Sequence, residues 1–210
     1  MEDVLEVYSR PYDPKYPQVC LDEKRKELRS TPRGELPLKA GKAKREDYEY
    51  ERNNSANVFL WNEPLTGRCG ITVENAANSF TFAQIIKDLV DLHYPDAEKI
   101  VLVCDNASFH SKAALYKAFP PEEAFRLVQK IEWHHTPEHG SWLDMAEVEL
   151  SVFSRQCLNR RIPDIKTLKT EAMAWETSRN SQKVIIQWRF TNADARIKLK
   201  HLYPKRLCSN

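Results

Sequence analysis

The sequence predicts an α/β fold built on a mixed sheet flanked by helices, and three observations carry that reading. The first is order: strand-like runs come early, then helix, strand, helices, strand and helices follow, an alternation typical of α/β domains. The second is Lys99 to Cys104 (KIVLVC), an unbroken β-branched and apolar run, as expected of a strand covered on both faces. The third is Ser141 to Asn159, where Leu143, Ala146, Leu150, Phe153 and Cys157 recur at helical spacing on one stripe.

Taken in order, Met1 to Pro17 carries Pro11, Pro14 and Pro17 among polar and aromatic residues and reads as an extended arm. Gln18 to Asp22 is a short apolar strand ending in a carboxylate. Leu28 to Asp47, with its prolines, Gly34, Gly41 and dense charge, reads as a long mobile connection. Tyr48 to Tyr50, Asn57 to Asn62 and Cys69 to Val73 supply further strands in antiparallel succession. Ser79 to His93 has one apolar helical face, with Ser79 or Thr81 as its cap and Pro95 as its stop. Ala113 to Phe119 and Glu122 to Lys130 form short helices split by Pro120-Pro121, and Ile131 to His135 is a strand. Beyond Pro163, Ile165 to Arg179 and Asn192 to Leu202 are the last helices.

A length of 210 residues fits one domain, and 41% hydrophobic with 30% charged residues describes a globular chain. No apolar run suffices to cross a bilayer and Met1-Glu2-Asp3 begins no signal peptide, so a cytoplasmic protein is expected. Five scattered cysteines (Cys20, Cys69, Cys104, Cys157, Cys208), with no C-x-x-C pair, read as reduced and structural. The net charge of +2 does not announce nucleic acid. Its distribution says more, with basic clusters at Lys24-Arg25-Lys26, Lys39 to Arg45, Arg160-Arg161 and Arg196 to Arg206. Such patches suit phosphate contacts, although each taken singly is more often a solvated face.

Three carboxylates fall where this topology can gather them. Asp22 ends the first strand, and Asp105 ends the central one. Sites in open α/β sheets form at strand ends near a switch in strand order. Glu147 lies on the flank of the helical stripe, leaning over the sheet edge, whereas Glu149 points about 200° away and reads as a surface residue. Cutting or joining a phosphodiester calls for an attacking oxygen, a leaving oxygen and neutralised charge at phosphorus. Two divalent ions about 4 Å apart, held by hard oxygen donors, supply all three. A carboxylate trio without His or Cys donors favours Mg²⁺ or Mn²⁺ over Zn²⁺. With 30 acidic residues in the chain, spacing alone leaves other trios open.

The segments VCLDEK (19–24), LVCDNASFH (102–110) and HHTPEHGSWLDMAE (134–147) resemble the three catalytic blocks of mariner-like DDE transposases. More narrowly they are similar to the bacterial insertion-sequence branch, the DDE superfamily endonucleases, and the likeness runs from about Met1 to Pro204.

The resemblance implies a ribonuclease-H-like fold with a mixed five-stranded sheet flanked by helices, residues 1–210 forming one catalytic domain. It implies two Mg²⁺ (or Mn²⁺) ions held by Asp22, Asp105 and Glu147 as catalytic residues. The chemistry implied is hydrolytic nicking at transposon ends and transfer of the freed 3′-hydroxyl into target DNA, commonly at TA. Asn106 and His110 match positions beside the second aspartate, where they orient a ligand, contact phosphate, or simply cap and turn the chain. Lys24, Arg155, Arg160 and Arg161 are candidates for the DNA backbone, and the KAGKAKR segment (39–45) for a DNA contact ordered on binding. A homodimer bridging two DNA ends and a nucleoid-associated location are further expectations.

Two departures matter. Asp144 stands where the family has asparagine, and is read as a helix cap in preference to a water-mediated metal contact. The helix-turn-helix modules that precede the family's catalytic domain are absent before Met1, which suggests a truncated gene, a split reading frame or a cloned domain, with a separately encoded DNA-binding part as partner. His134, His135 and His139 read as solvent-facing or phosphate-contacting, with zinc disfavoured. Trp142 reads as a packing anchor in preference to a base-stacking platform, and Trp175 and Trp188 as core or dimer contacts. Against an active strand-transfer enzyme stand two alternatives: a catalytically silent remnant binding only DNA or a partner, and another ribonuclease-H-like nuclease, which the Trp142–Glu147 block disfavours.

Overall fold

The computed structural model describes residues 1–32, 49–138 and 140–203. Five strands form one sheet: β1 (Gln18–Ser30), β2 (Glu51–Glu63), β3 (Arg68–Glu74), β4 (Ile100–Cys104) and β5 (Ile131–His135). Their order across the sheet is β3-β2-β1-β4-β5. The first three are antiparallel neighbours, while β4 runs parallel to both β1 and β5. The sheet is therefore mixed, with β1 at its centre and β4 an interior strand that is wholly buried.

Strand alternation sorts side chains into two layers. Val19, Leu21, Phe59, Trp61, Ile100, Leu102 and Cys104 face one side. There α2 (Ser79–Asp88), α3 (Lys112–Ala118) and α4 (Pro121–Lys130) cover them. On the other side, Leu28, Val58 and Leu60 pack under α5 (Met145–Phe153) and α6 (Ile165–Gln182). Val101 and Val103 meet α1 (Glu2–Ser9) and α7 (Asn192–Lys198) there too.

Several expectations need correction. The N-terminal arm begins as a helix, because Val4, Leu5, Val7 and Tyr8 make one buried face and every proline lies beyond it. β1 does not stop at Asp22; it runs on to Ser30 as the long partner of β2. β2 starts at Glu51, so Glu49 and Tyr50 lie outside it. Asn78 caps α2, accepting from the backbone N–H groups of Phe80 and Thr81, in place of Ser79 or Thr81. The long helix over 141–159 is three pieces: a 3₁₀ turn (Ser141–Leu143), α5, and a π-helical turn (Ser154–Leu158). The KAGKAKR segment, His139 and Cys208 lie outside the described residues; the other four cysteines are buried free thiols, as expected. Among the described residues no helix is long and apolar enough to cross a membrane.

A candidate active site of acidic residues at the sheet edge

β1 and β4 pair in parallel register up to Leu21 opposite Cys104. Asp22 and Asp105 are the next residue on each strand, so they stand side by side where β4 ends and β1 runs on. Helix α5 packs across β1 and β2. Its first turn brings Glu147 over Asp22, and both line a cavity of about 310 Å³ together with Glu23, Lys24, Leu150 and Ser151. Two supports hold that helix. Asp144 caps it through the Ala146 N–H at 2.8 Å, and the Tyr8 hydroxyl of α1 donates to Leu143 O at 2.7 Å.

Each aspartate has one oxygen committed to the protein. Asp22 Oδ1 accepts from the Glu23 N–H at 2.7 Å. Asp105 Oδ1 accepts from the Ala107 N–H at 2.9 Å and meets His110 Nδ1 at 2.6 Å. Among the described residues no hydrogen bond engages Oδ2 of either one.

The electrostatics follow from burial and crowding. Burial raises the Asp22 carboxyl to about 7, opposed by the Glu23 N–H and reinforced by the charges of Glu23, Asp105 and Glu147. Asp105 goes the other way, held below the usual range chiefly by His110. Burial pulls His110 down, but Asp105 and Glu23 outweigh it and take the imidazole up to about 9. Asp144 is fully enclosed behind the trio; burial pushes its carboxyl well up, and its Oδ2 has no hydrogen-bond partner. It acts as the helix cap, as the sequence suggested.

The other expected residues separate into two groups. Asn106 and His110 flank Asp105; the Asn106 amide donates to Thr136 O, and His110 is buried between Phe82 and Phe109 at 4.7 and 4.6 Å. Lys24 and Arg155 sit at the rim, sharing a neighbouring cavity of about 390 Å³ with Lys26 and Asn159. Lys26 and Asn159 also line a third, of about 430 Å³, with Arg29, Arg160 and Arg161. Shared walls make the three cavities one trough beside β1, acidic at Asp22 and basic at Arg161. Arg160 is paired with Glu171, whereas Arg161 donates to Thr31 Oγ1 and Glu49 O. A further cavity of about 430 Å³ lies at the opposite end of β2, around Glu63 and Arg68, away from the carboxylates.

Sequence reasoning missed two participants. Glu149 is 4% exposed, not a surface residue, and takes a two-pronged ion pair from Arg179 at 2.5 and 2.9 Å. Helical phase did point it away from Glu147, but that direction is covered by α6. Glu23 faces His110 across the sheet edge, Oε2 lying 3.1 Å from Nε2. Strand alternation could have placed Glu23 opposite Asp22, but nothing local announces a partner 87 residues on. His134, expected at solvent or phosphate, is 8% exposed and tied to Asp3 and Glu132. Trp142 remains 44% exposed, touching Phe190 edge-on, so its anchoring is partial. Trp175 and Trp188 pack within the chain, on Phe153 and Tyr8.

A mixed five-stranded sheet in the order 3-2-1-4-5, helices on both faces and carboxylates where the parallel pairing of β1 and β4 stops define a ribonuclease-H-like fold with an acidic centre. The family model for DDE superfamily endonucleases matches residues 17–169, and the chain belongs to that family. The Mos1 mariner paired end complex with Mn superposes with a TM-score of 0.57 at 14% identity, over 96% of this chain and 60% of that one. The Mos1 transposase paired-end complex with left transposon end gives 0.53 at 15% identity, over 87% of this chain and 57% of that one. For the Mos1 Strand Transfer Complex the TM-score is 0.53 at 15% identity, covering 86% and 55%. This chain therefore spans less than two thirds of each of those relatives. No curated protein sequence matches it.

Proposed function

We propose that this chain is the DNA-cutting and strand-transferring part of a transposase. One observation carries the reading: Asp22 and Asp105 follow the last register pair of the parallel strands β1 and β4, and Glu147 lines one cavity with Asp22. Burying a carboxylate, here with like charges beside it, is costly, and the raised Asp22 carboxyl expresses that cost. All three donors are hard oxygens, which suits Mg²⁺ or Mn²⁺. Among the described residues no three His, Cys, Asp or Glu side chains stand ready as an ion cage. Asp22, Asp105 and Glu147 would hold the ions by turning their unengaged oxygens inward.

Bound there, a pair of divalent ions supplies charge neutralisation at phosphorus and acidifies a water or 3′-hydroxyl. The chain's own residues do the rest. Ala107 N–H and His110 fix the orientation of Asp105, and the Glu23 N–H fixes that of Asp22. Lys24 and Arg155, with Arg161 further along the trough, take the DNA backbone leading away from the reacting phosphate. Water as nucleophile gives a nick; the freed 3′-hydroxyl as nucleophile gives joining to target DNA, at TA as the mariner resemblance implies. Work on two ends implies a homodimer, and recognition of those ends a helix-turn-helix part outside residues 1–210.

Nicking of supercoiled plasmid tests the proposal. The chain is expected to nick with Mg²⁺ or Mn²⁺ and not with EDTA, and Asp105→Ala to fall to background. Equal nicking by wild type and Asp105→Ala sinks it and leaves a protein that only binds DNA or a partner. Cleavage confined to RNA–DNA hybrids points to another enzyme on this fold.

A further inference from the structure

We infer that Glu23 is a positioning residue: it acts through His110 to hold the Asp105 carboxylate with its free oxygen turned to the reaction cavity. The inference rests on the proposed metal-dependent reading of that cavity and adds to it a residue outside the acidic trio.

Strand geometry separates Glu23 from its neighbour Asp22. Consecutive side chains on β1 point to opposite faces, so Asp22 faces α5 while Glu23 faces the layer of α2 and α3. On that side His110 is enclosed completely, its side chain having 0% exposure. The ring is wedged between Phe82 and Phe109, which fix its plane but offer no hydrogen bond. Both ring nitrogens face carboxylates. Nδ1 meets Asp105 Oδ1 at 2.6 Å, and Nε2 lies 3.1 Å from Glu23 Oε2. The second contact is close but poorly aligned for a hydrogen bond. Among the described residues neither of its atoms has any hydrogen-bond partner. Each buried atom is thus committed to the other, because an unanswered polar group there is costly.

The consequence is directional. Asp105 Oδ1 is occupied by His110 and the Ala107 N–H, so a cation shared with Asp22 is left with Oδ2. Glu23 Oε2 faces the far nitrogen, and its charge favours the ring orientation that presents Nδ1 to Oδ1. Glu23 comes from β1 and Asp105 from the end of β4, so the bridge also fixes the two strand ends to each other across the site. Groups that orient a metal ligand through its outer contacts typically carry about 10- to 100-fold in metal affinity.

Manganese binding to the purified chain, followed by loss of the free Mn²⁺ paramagnetic resonance signal, tests this without DNA or turnover. Glu23→Ala weakens Mn²⁺ binding about tenfold or more. Glu23→Gln removes the same charge but keeps an acceptor for Nε2, and restores affinity to within about threefold of wild type. In an Asp105→Asn background, Glu23→Ala causes no further loss, since its effect travels through Asp105. Equal weakening by Ala and Gln would show a bulk charge effect and overturn the inference, as would full additivity with Asp105→Asn. Wild-type affinity in Glu23→Ala overturns this inference alone and leaves the proposed function intact. Absence of Mn²⁺ binding by wild type overturns both. Should Glu23→Ala fail to fold, Glu23→Gln decides by itself: affinity within about threefold of wild type supports the relay, and a loss of about tenfold overturns it.

Discussion

Glu149 and Arg179 show what a single residue contributes to the acidic centre from a distance. Glu149 lies on the helix that carries Glu147, and its pair with Arg179 pins α5 to α6. Side-chain exposures of 5% and 11% mean that neither charge reaches enough water to survive alone. Removing one partner leaves a buried charge, typically at a cost of about 3–5 kcal/mol. Arg179→Ala is accordingly expected to lose about 3 kcal/mol in urea unfolding at neutral pH, and pairing it with Glu149→Leu recovers much of the loss. A loss below about 1 kcal/mol for Arg179→Ala would mean the carboxylate is hydrated and the pair ornamental.

At the scale of elements, the layer of α2 and α4 is stitched by a different kind of electrostatics. Lys87 meets Asp91 and Glu123 at 2.5 Å, and Arg126 meets Glu123 and Asp91 at 2.7 and 2.9 Å. Arg126 and Lys87 hold the Glu123 carboxyl at about 2, below its ordinary 4.5. A depressed carboxylate stabilises the fold above its unfolded value, and that contribution disappears as pH falls from about 4.5 toward 2. These side chains are 28–42% exposed, so solvent screening limits the network to about 0.5–1 kcal/mol. Glu123→Gln should therefore be less stable than wild type at pH 6 by that amount, with the gap narrowing by pH 3. Denaturation curves showing the same gap at both values would place the stabilisation elsewhere.

Across the whole molecule, a net charge of +2 conceals a sorted surface. β1 pairs with β4 only over Gln18 to Leu21, so beyond Asp22 that edge is open until the Arg29 N–H meets Ile162 O at 2.8 Å. The trough occupies this stretch, where the acidic centre grades into Lys24, Lys26, Arg155 and Arg161. If DNA lies there, each phosphate contact releases counterions, and affinity falls with salt by a slope of about 0.9 per contact. Arg155→Ala is expected to lower the slope for a duplex by about one contact between 50 and 200 mM salt. Lys117→Ala, on α3 of the opposite layer, leaves it unchanged. Anisotropy titrations giving both variants the wild-type slope would remove the trough from the DNA path.

Local periodicity was enough to read most of the elements and the segments that carry the acidic trio. The KIVLVC run reads as a covered strand, and Asp105 follows it in any register; Glu147 sits in the first turn of a helix whose stripe is plain in the spacing. Local rules worked there because each depends on residues a few positions apart. Helix α1 escaped them, since three nearby prolines outweighed four apolar positions until docking under α7 and β4 gave those positions something to bury against. Tertiary structure alone decided that Glu149 is enclosed, that Glu23 answers His110, and that the basic residues line one trough. Each of those facts is a meeting of segments distant in the chain, and burial and charge pairing take their sign from what the other segment brings.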